Sequence, residues 1–272
     1  MKKNSIAVIS QKGGVGKTTV ALNLAVAFAE KKKRTLLIDT DPQGGVGLSL
    51  ARGDTSMVGL AEVLAGAATL DQGVLATRHE HLLLFPRGRL DPIDVITFEQ
   101  AIHEKGKFAG LLATLRPRFD EIIIDTPAGL GLVTRAVLSA ADFALLPVQA
   151  EPVGLRSIQQ ALRVIEHVRG HENRSLALLG VLLTMVELKK ESSREVAEAL
   201  WSGFAGVLET MIPRADVFTS ASRKGLPLAF LGGAVSPEAR RFEWLANELE
   251  NVMAALEGPH GQTETRAERQ LF

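Results

Sequence analysis

Short apolar runs alternate along the chain with longer segments whose composition is typical of helices. Six runs are rich in Ile, Leu and Val without strict polar alternation, as expected of strands covered on both faces of a parallel sheet. These predicted strands are residues 5–10, 34–39, 81–86, 121–125, 142–148 and 176–184. The predicted helices are residues 18–30, 154–169, 195–204 and 237–256. Strand–helix alternation predicts an α/β fold with a doubly wound, mostly parallel sheet, helices on both faces and ligands at the carboxyl ends of the strands.

The chain shows no internal repeat and no long linker between these elements. We therefore expect residues 1–257 to form a single domain. The remaining residues, 258–272, are polar and rich in turn-forming types, which predicts a disordered tail.

Composition and charge exclude several classes of protein and several kinds of site. The 272 residues include 46% hydrophobic types, which excludes a disordered or fibrous chain. The absence of cysteine excludes disulfides, thiolate zinc sites, iron–sulfur clusters and cysteine nucleophiles, and is compatible with the cytosol. No signal peptide or bilayer-length apolar stretch is visible, so a soluble, cytoplasmic protein is expected. Because 31 basic residues balance 31 acidic ones, contact with nucleic acid or membrane requires a local patch.

A glycine-rich motif follows the first predicted strand and opens the first predicted helix. It reads Lys12-Gly13-Gly14-Val15-Gly16-Lys17-Thr18-Thr19. Its glycines let successive amide hydrogens point inward and form, with the helix N-terminus, a nest for the β- and γ-phosphates of ATP. Lys17 supplies positive charge to those phosphates, and the Thr18 hydroxyl can hold Mg²⁺. The alternative is a turn without a ligand, but the order strand, loop, helix favours a phosphate loop.

The loop departs from the plain phosphate-loop pattern at two positions. Gln11 stands where the leading glycine is usual, and Lys12 adds a second lysine before the first glycine of the motif. This form of the motif resembles the deviant phosphate loop of the ParA/MinD family of P-loop ATPases. The resemblance implies that Lys12 reaches the nucleotide of a second subunit, so that two ATP molecules lie within a dimer and Lys12 and Lys17 are both catalytic. The alternative for Lys12 is a solvated surface lysine.

Three acids after predicted strands extend the resemblance. Asp39-Thr40-Asp41-Pro42-Gln43-Gly44 is similar to the DxDPQG segment of the family, and in 122–127 an apolar run is followed by the acid of a Walker-B pattern, Asp125. The resemblance implies that Asp41 orients or activates the attacking water. It also implies a metal site of Thr18, Asp39 and Asp125, with Asp125 bonded to Mg²⁺ through water and Asp39 supporting the metal region. Residues 128–131, Ala-Gly-Leu-Gly, depart from the family's second proline and SLG.

A later segment, 211–214, resembles the family's IPR motif, whose proline borders the adenine. Pro213 and Arg214 are therefore candidates for binding the base. A proline that merely ends a strand is the alternative. The resemblance as a whole covers roughly residues 5–255.

The resemblance implies an ATP-bound dimer that sits on a surface, either DNA or a membrane. Nonspecific DNA requires only a cluster of basic side chains against phosphates. The candidates are Lys189, Arg214, Arg223, Lys224, Arg240 and Arg241. Acidic neighbours of Lys189 make a solvated helix face an equally good interpretation there. A membrane requires a basic amphipathic helix, whereas 265–272 is short and polar and 237–256 carries net negative charge, so we expect no stable membrane association.

Composition also argues against two subgroups of the family for this chain. Reductases and iron–sulfur carriers with this loop need cysteines, and the bacterial tyrosine kinases need tyrosine clusters, but the chain contains neither residue. No helix-turn-helix precedes the loop, so operator binding is not expected.

We therefore expect an ATPase that binds nonspecific DNA as an ATP-dependent homodimer and partitions or positions a plasmid, a chromosome or a large assembly. A ParB-like or cargo-adaptor protein stimulates hydrolysis, and the ATP state associates with the nucleoid. The alternative is a membrane-associated MinD-like or flagellar-type ATPase that acts as a nucleotide-gated interaction switch.

Overall fold

The computed structural model of the protein describes residues 3–48, 57–204 and 206–257, and the predicted polar tail lies outside them. Within these ranges, eight strands form one sheet in the order β3-β4-β2-β5-β1-β6-β7-β8. The strands are β1 Asn4–Val8, β2 Thr35–Asp39, β3 Leu75–Ala76, β4 Leu82–Phe85, β5 Glu121–Asp125, β6 Phe143–Gln149, β7 Ala177–Val186 and β8 Val207–Pro213. All pairs are parallel except β3 with β4.

Helices cover both faces of the sheet. They are α1 Lys17–Glu30, α2 Gly45–Leu48, α3 Leu60–Leu64, α4 Leu70–Gly73, α5 Val95–His103, α6 Lys107–Leu115, α7 Leu132–Leu138, α8 Pro152–His171, α9 Glu191–Gly203, α10 Asp216–Lys224 and α11 Pro237–Glu257. The predicted doubly wound, mostly parallel sheet is confirmed. In the described part of the chain, no helix combines the length and apolar character needed to cross a bilayer.

The six predicted strands are present, with ends that shift by up to two residues. The two edge strands, β3 and β8, were missed. Strand β3 has only two residues, whereas Leu208, Thr210 and Ile212 of β8 are buried in alternation, a period-2 signal. Helices α2 to α7 and α10 were also missed. Three of them, α5, α6 and α7, are 9, 9 and 7 residues long, so each offers only a few apolar positions from which to recognise a period.

Two apolar clusters, one on each face, hold the sheet. On one face α1 packs between the sheet and α11, and its Phe28 has no exposed surface. Because α1 is covered on nearly all sides, eleven of its fourteen residues are buried. On the other face α5 to α9 cover the sheet. The phosphate loop is therefore anchored to a rigid helix that leaves the sheet at its centre.

The register of the central strands brings the predicted acids together. In β5, Asp125 lies opposite Val8 of β1 and Asp39 of β2. The carboxyl end of β1, from which the phosphate loop begins, therefore lies beside both acids. At the other end of the same strand, Glu121 lies opposite Asn4 and Thr35.

Candidate active site

The phosphate loop is fixed from both sides. Gly14 and Gly16 have φ of 75° and 87°, in the left-handed region where glycine avoids the steric cost of a side chain. Ser10 Oγ donates to the carbonyl of Lys12 at 2.8 Å and accepts from its amide at 3.2 Å. The hydroxyl of Thr184, at the end of β7, donates to the carbonyl of Val15 at 2.8 Å. Hydrogen bonds from Ser10, which follows β1, and from Thr184, near the end of β7, thus hold the backbone of the loop.

Thr18 and Asp125 meet below the loop, 107 residues apart in sequence. Thr18 Oγ1 donates to Asp125 Oδ2 at 2.7 Å. Asp125 has no exposed surface, and among the described residues its Oδ1 has no hydrogen-bond partner. Burial raises the pKa of Asp125 to about 7, against the hydrogen bond from Thr18 and the charge of Lys17. The carboxyl group therefore has one buried acceptor oxygen available for a ligand.

Lys17 begins α1 and is almost completely buried, with 7% of its surface exposed. Burial lowers the pKa of Lys17, while Asp125 and Asp41 oppose that effect by attraction. A lysine in this position gains more from an added anion than a solvated lysine does, because its charge is not compensated by water. The site can thus accept phosphate groups at Lys17.

Asp39 organises the segment that follows β2. Its Oδ1 accepts from the amide of Asp41 at 3.0 Å and its Oδ2 accepts from the amide of Val46 at 3.0 Å. The turn continues with Asp41 Oδ1, which accepts from the amide of Gln43 at 2.8 Å. The turn then passes beside the loop helix, because a Cβ on Gly45 would lie 2.8 Å from Thr18 Oγ1. Asp39 thereby holds Asp41, which is partly exposed, near the phosphate loop. A direct role of Asp39 at the metal stays a prediction.

The segment after β5 is joined to the same centre. Thr40 donates to the carbonyl of Asp125 through its amide at 3.0 Å and through its hydroxyl at 2.7 Å. The amide of Gly129, within the departure from the family pattern, donates to the carbonyl of Ser10 at 3.0 Å. The segment after β2 is therefore bonded to the last residue of β5, and the segment after β5 is bonded to the residue between β1 and the loop.

Lys12 lies apart from this centre. Its Nζ is 3.5 Å from Oε2 of Glu151, and both side chains are more than 40% exposed. Glu151 is itself held by Gln149, whose Nε2 donates to Oε1 at 2.8 Å. The two lysines of one loop thus differ in burial: Lys17 is enclosed beside Asp125, whereas Lys12 extends over the surface to the end of β6.

A cavity of about 160 Å³ adjoins the loop on the side of β7 and β8. Pro213 and Arg214, the sequence candidates for binding the base, line it together with Gly16 and Thr19 of the loop helix region. Met185 and Phe218 line it as well, and the sequence did not reveal them, because neither lies in a recognisable motif. A larger cavity of about 730 Å³ lies between α3 and α5. None of the motif residues lines that larger cavity, so its size does not make it the active site.

The basic candidates for DNA contact lie on two helices and in two loops. Arg223 and Lys224 are exposed in the last turn of α10, and Arg240 is exposed at the start of α11. Arg241 is half-buried, with its guanidinium 5.6 Å from the ring centre of Trp244, a neighbour that the sequence did not single out. The remaining two candidates belong to the loops after β7 and β8. Lys189 is exposed in the turn after β7, while Arg214 Nε lies 2.8 Å from Glu187 Oε1 and so is partly compensated.

The residues present fit a magnesium ion that is bound together with a nucleotide. In the described chain, no group of three or more His, Cys, Asp or Glu side chains is arranged to hold a metal alone. Mg²⁺ in nucleotide sites usually takes one or two protein ligands, substrate phosphates and waters. The Thr18 hydroxyl and the open Oδ1 of Asp125 provide such a partial set.

Comparison with known families and proteins identifies relatives of the chain. The pattern of a family described as "AAA domain" matches residues 3–178. The chromosome-partitioning ATPase Soj of Treponema pallidum is 34% identical over 90% of this chain and 96% of its own length. The chromosome partitioning protein ParA of Myxococcus xanthus is 33% identical over 82% of this chain and 80% of its own length.

Solved structures with the same fold include nucleotide complexes. Cobyrinic acid a,c-diamide synthase from Mycobacterium smegmatis with bound ADP and magnesium superposes with a TM-score of 0.76 and 30% identity, covering 94% of this chain and 96% of that one. The septum site-determining protein MinD from Pyrococcus horikoshii, complexed with Mg-ADP, superposes with a TM-score of 0.75 and 26% identity, covering 95% and 100%.

Proposed function

Since this chain belongs to the ParA/MinD family of Mg²⁺-dependent P-loop ATPases, we propose that it partitions or positions a cargo as an ATP-dependent dimer on nonspecific DNA. ATP and Mg²⁺ are its substrate and cofactor. Relatives named for chromosome partitioning support the partition or positioning role. The dimer, the DNA surface and the activating partner are further parts of this proposal.

The observation that carries the proposal is the exposed position of Lys12. The enclosed lysine of the loop, Lys17, is sufficient to face the phosphates bound by its own subunit. Lys12 instead pairs with Glu151 at the surface, in a contact that solvent screens. Phosphates of a second subunit that faces this loop are a stronger partner for an ammonium group than one half-exposed carboxylate. Lys12 would then leave Glu151 and complete the second active site, which makes dimerisation depend on bound ATP.

In this proposal, hydrolysis depends on side chains at the carboxyl ends of the central strands and in the phosphate loop. Thr18 and Asp125 would hold Mg²⁺, which neutralises charge on the phosphates when it is bound. Lys17 stabilises negative charge that develops on the transferred phosphate. Asp41, held beside the loop by the turn around Asp39, is placed to orient the attacking water.

The proposed DNA surface combines exposed basic side chains that face no compensating acid. Arg223 and Lys224 have no ion-pair partner among the described residues, unlike Arg214. Free cations of this kind bind the phosphate backbone without reading sequence, and that binding weakens as salt rises. We place Arg240, Arg241 and Lys189 in the same proposal with a smaller contribution. A ParB-like or cargo-adaptor protein would stimulate hydrolysis, and the ATP state would associate with the nucleoid in the cytoplasm.

The experiment compares wild type, Lys12→Gln and the double variant Arg223→Ala with Lys224→Ala. Light scattering with ATP and Mg²⁺ measures the dimer, and fluorescence anisotropy with nonspecific duplex DNA at two salt concentrations measures binding. We expect Lys12→Gln to remain monomeric while still binding ATP. We expect the double variant to dimerise and to lose about tenfold or more in DNA affinity at low salt.

Other outcomes reject separate parts of the proposal. A Lys12→Gln dimer would remove the role of Lys12 across an interface. Unchanged DNA affinity in the double variant would remove the α10 patch as the DNA surface. Binding of the wild type to anionic vesicles but not to DNA would favour the membrane-associated MinD-like switch.

A further inference from the structure

Met185 occupies an unusual backbone position at the cavity beside the phosphate loop. Its φ is 52°, in the left-handed region that non-glycine residues rarely adopt. The ladder between β7 and β8 is irregular at the same place, since Leu183 lies opposite Met211 and Val186 opposite Pro213. Three steps along β7 thus correspond to two along β8, so β7 carries one extra residue. A bulge of this kind re-aims a side chain and recurs next to active sites.

The neighbours on both sides hold Met185 in this conformation. Thr184 donates its hydroxyl to the carbonyl of Val15 at 2.8 Å and accepts at its own carbonyl from the amide of Ala150 at 3.1 Å. The carbonyl of Val186 accepts from the amide of Arg214 at 3.1 Å. Since both flanking residues are tied to different elements, the residue between them cannot relax. A left-handed backbone at a non-glycine residue carries a steric cost and persists only when the surrounding structure imposes it.

The side chain of Met185 is directed to the cavity and not to the core. Met185 belongs to neither apolar cluster of the described chain, and it is only partly buried. Its terminal methyl group lies 4.0 Å from the place where a Cβ on Gly16 would stand, and Nη2 of Arg214 lies 3.8 Å from its sulfur. A thioether is polarisable and adapts its shape, and it contacts aromatic rings favourably.

We infer that Met185 is a determinant of base binding, whose bulged, left-handed backbone presents the thioether to the aromatic ring of the nucleotide base. The inference rests on the proposed placement of the base between Pro213, Arg214 and the loop helix. In that cavity Phe218 supplies a second apolar surface. The strain at Met185 is therefore part of the binding site, since an unstrained residue in a regular ladder would direct its side chain elsewhere.

The test separates the base from the phosphates. Calorimetry of the full chain measures the affinity for Mg-ADP and, separately, for Mg-pyrophosphate, which lacks a base and does not require dimerisation or DNA. Met185→Ala removes the thioether and keeps the strained backbone, whereas Met185→Gly removes both. We expect each variant to bind ADP roughly three- to tenfold more weakly, with pyrophosphate affinity unchanged. We expect Met185→Gly to melt at or above the temperature of Met185→Ala, because glycine accepts the positive φ.

Phe218→Ala is the matched control for the cavity itself. If Phe218→Ala weakens ADP binding and the Met185 variants do not, the role of Met185 is wrong while the placement of the base stands. If all three variants bind ADP like wild type, the placement of the base is wrong and the inference falls with it. If Met185→Ala weakens ADP and pyrophosphate equally, Met185 supports the loop and does not contact the base.

Discussion

The two ends of strand β5 each carry a buried carboxyl group beside a lysine, and the two pairs are built differently. At the amino end, Lys33 Nζ lies 2.8 Å from Oε1 of Glu121 and 2.6 Å from Oε1 of Glu250 on α11. At the carboxyl end, Asp125 accepts from a hydroxyl and has an oxygen without a partner among the described residues, while Lys17 begins the loop helix nearby. One oxygen of each carboxyl group, Oε2 of Glu121 and Oδ1 of Asp125, has no hydrogen-bond partner among the described residues. The two ends differ in their cation: Lys33 bonds Glu121 directly and makes the amino end the closed end, whereas no lysine bonds Asp125 in the described chain and the carboxyl end is the open end.

The pKa values of Lys33 and Lys17 are shifted in opposite directions, which reflects this difference. Burial alone lowers the pKa of both, but the bonds to Glu121 and Glu250 outweigh burial at Lys33 and raise its pKa. At Lys17 burial prevails and its pKa is lowered. Charges satisfied within the chain stabilise the fold, whereas charges left uncompensated are available for binding. Of the two acids in this strand of five residues, Glu121 is bonded to a cation of the chain, and Asp125 is the one for which we propose a role in binding Mg²⁺.

The largest effect is expected at the open end. Asp125→Asn removes the charge that would hold Mg²⁺ while keeping the shape of the side chain, so ATP turnover should fall at least about a hundredfold. Without nucleotide the variant should be no less stable than wild type, because a buried carboxyl group is no longer desolvated. Phosphate release and thermal unfolding measure the two quantities.

Glu121→Gln is the matched control at the other end of the strand. It should lose stability and keep turnover per folded molecule near that of wild type, since Glu121 lies far from the phosphate loop along β5. Turnover of Asp125→Asn within a few fold of wild type would contradict the functional half of the comparison.

The second-largest effect is expected at the closed end, where removing the charge of Lys33 should lower the free energy of unfolding. Lys33→Met leaves the carboxyl group of Glu121, which is 1% exposed, without its cation. Breaking one partner of a buried pair costs about 3 kcal/mol or more, which urea denaturation followed by tryptophan fluorescence can measure. The double variant Lys33→Met with Glu121→Leu removes both charges and should recover most of the loss. A Lys33→Met protein as stable as wild type would show that the pair contributes nothing net.

The smallest effect is a dependence on pH at the rim of the closed end. Burial alone would raise the pKa of Glu250, but hydrogen bonds from Lys31 and Lys33 outweigh it and hold the pKa below its usual range. The stability from Glu250 is therefore present above the unfolded pKa of about 4.5 and lost as pH falls through the lower folded pKa. Because Lys33 has a raised pKa, its contribution is present below about 10.5 and lost as pH rises further.

Unfolding of wild type and Glu250→Gln across pH measures this contribution. Glu250 is partly exposed, so we expect a difference of about 1 kcal/mol or less between pH 6 and 9, shrinking below pH 4.5. Burial and the charge of Glu250 both raise the pKa of Glu121, so Glu250→Gln also changes the titration of Glu121, and the measured difference contains both effects. A difference that is constant from pH 3 to 9 would mean that Glu250 acts through packing and not through charge.

Local sequence was sufficient for the features that depend on neighbouring residues. Gly14 and Gly16 adopt the left-handed conformations that a phosphate loop requires, and Lys17 follows at the start of a helix. The run before Asp125 is fully buried, as continuous apolar strands are in parallel sheets. These features were predictable because backbone preference and apolar periodicity act over a few residues.

Tertiary structure alone decided which of these residues meet and which remain open. The bond from Thr18 to Asp125 spans 107 residues, and the ion pair from Lys33 to Glu121 spans 88. The Walker-B pattern singled out Asp125 at the carboxyl end of its apolar run, but no local pattern indicated the partners of Glu121 at the other end. The neighbours of the two acids differ because α11 returns to the amino end of the sheet while the phosphate loop covers the carboxyl end. Met185 likewise reaches the cavity only because β7 has one residue more than β8 between two paired positions, Leu183 with Met211 and Val186 with Pro213. The residue types and their local backbone conformations follow from the sequence around them. Their partners are decided by contacts between distant parts of the chain, which form only when the chain loses the conformational entropy needed to assemble the whole sheet.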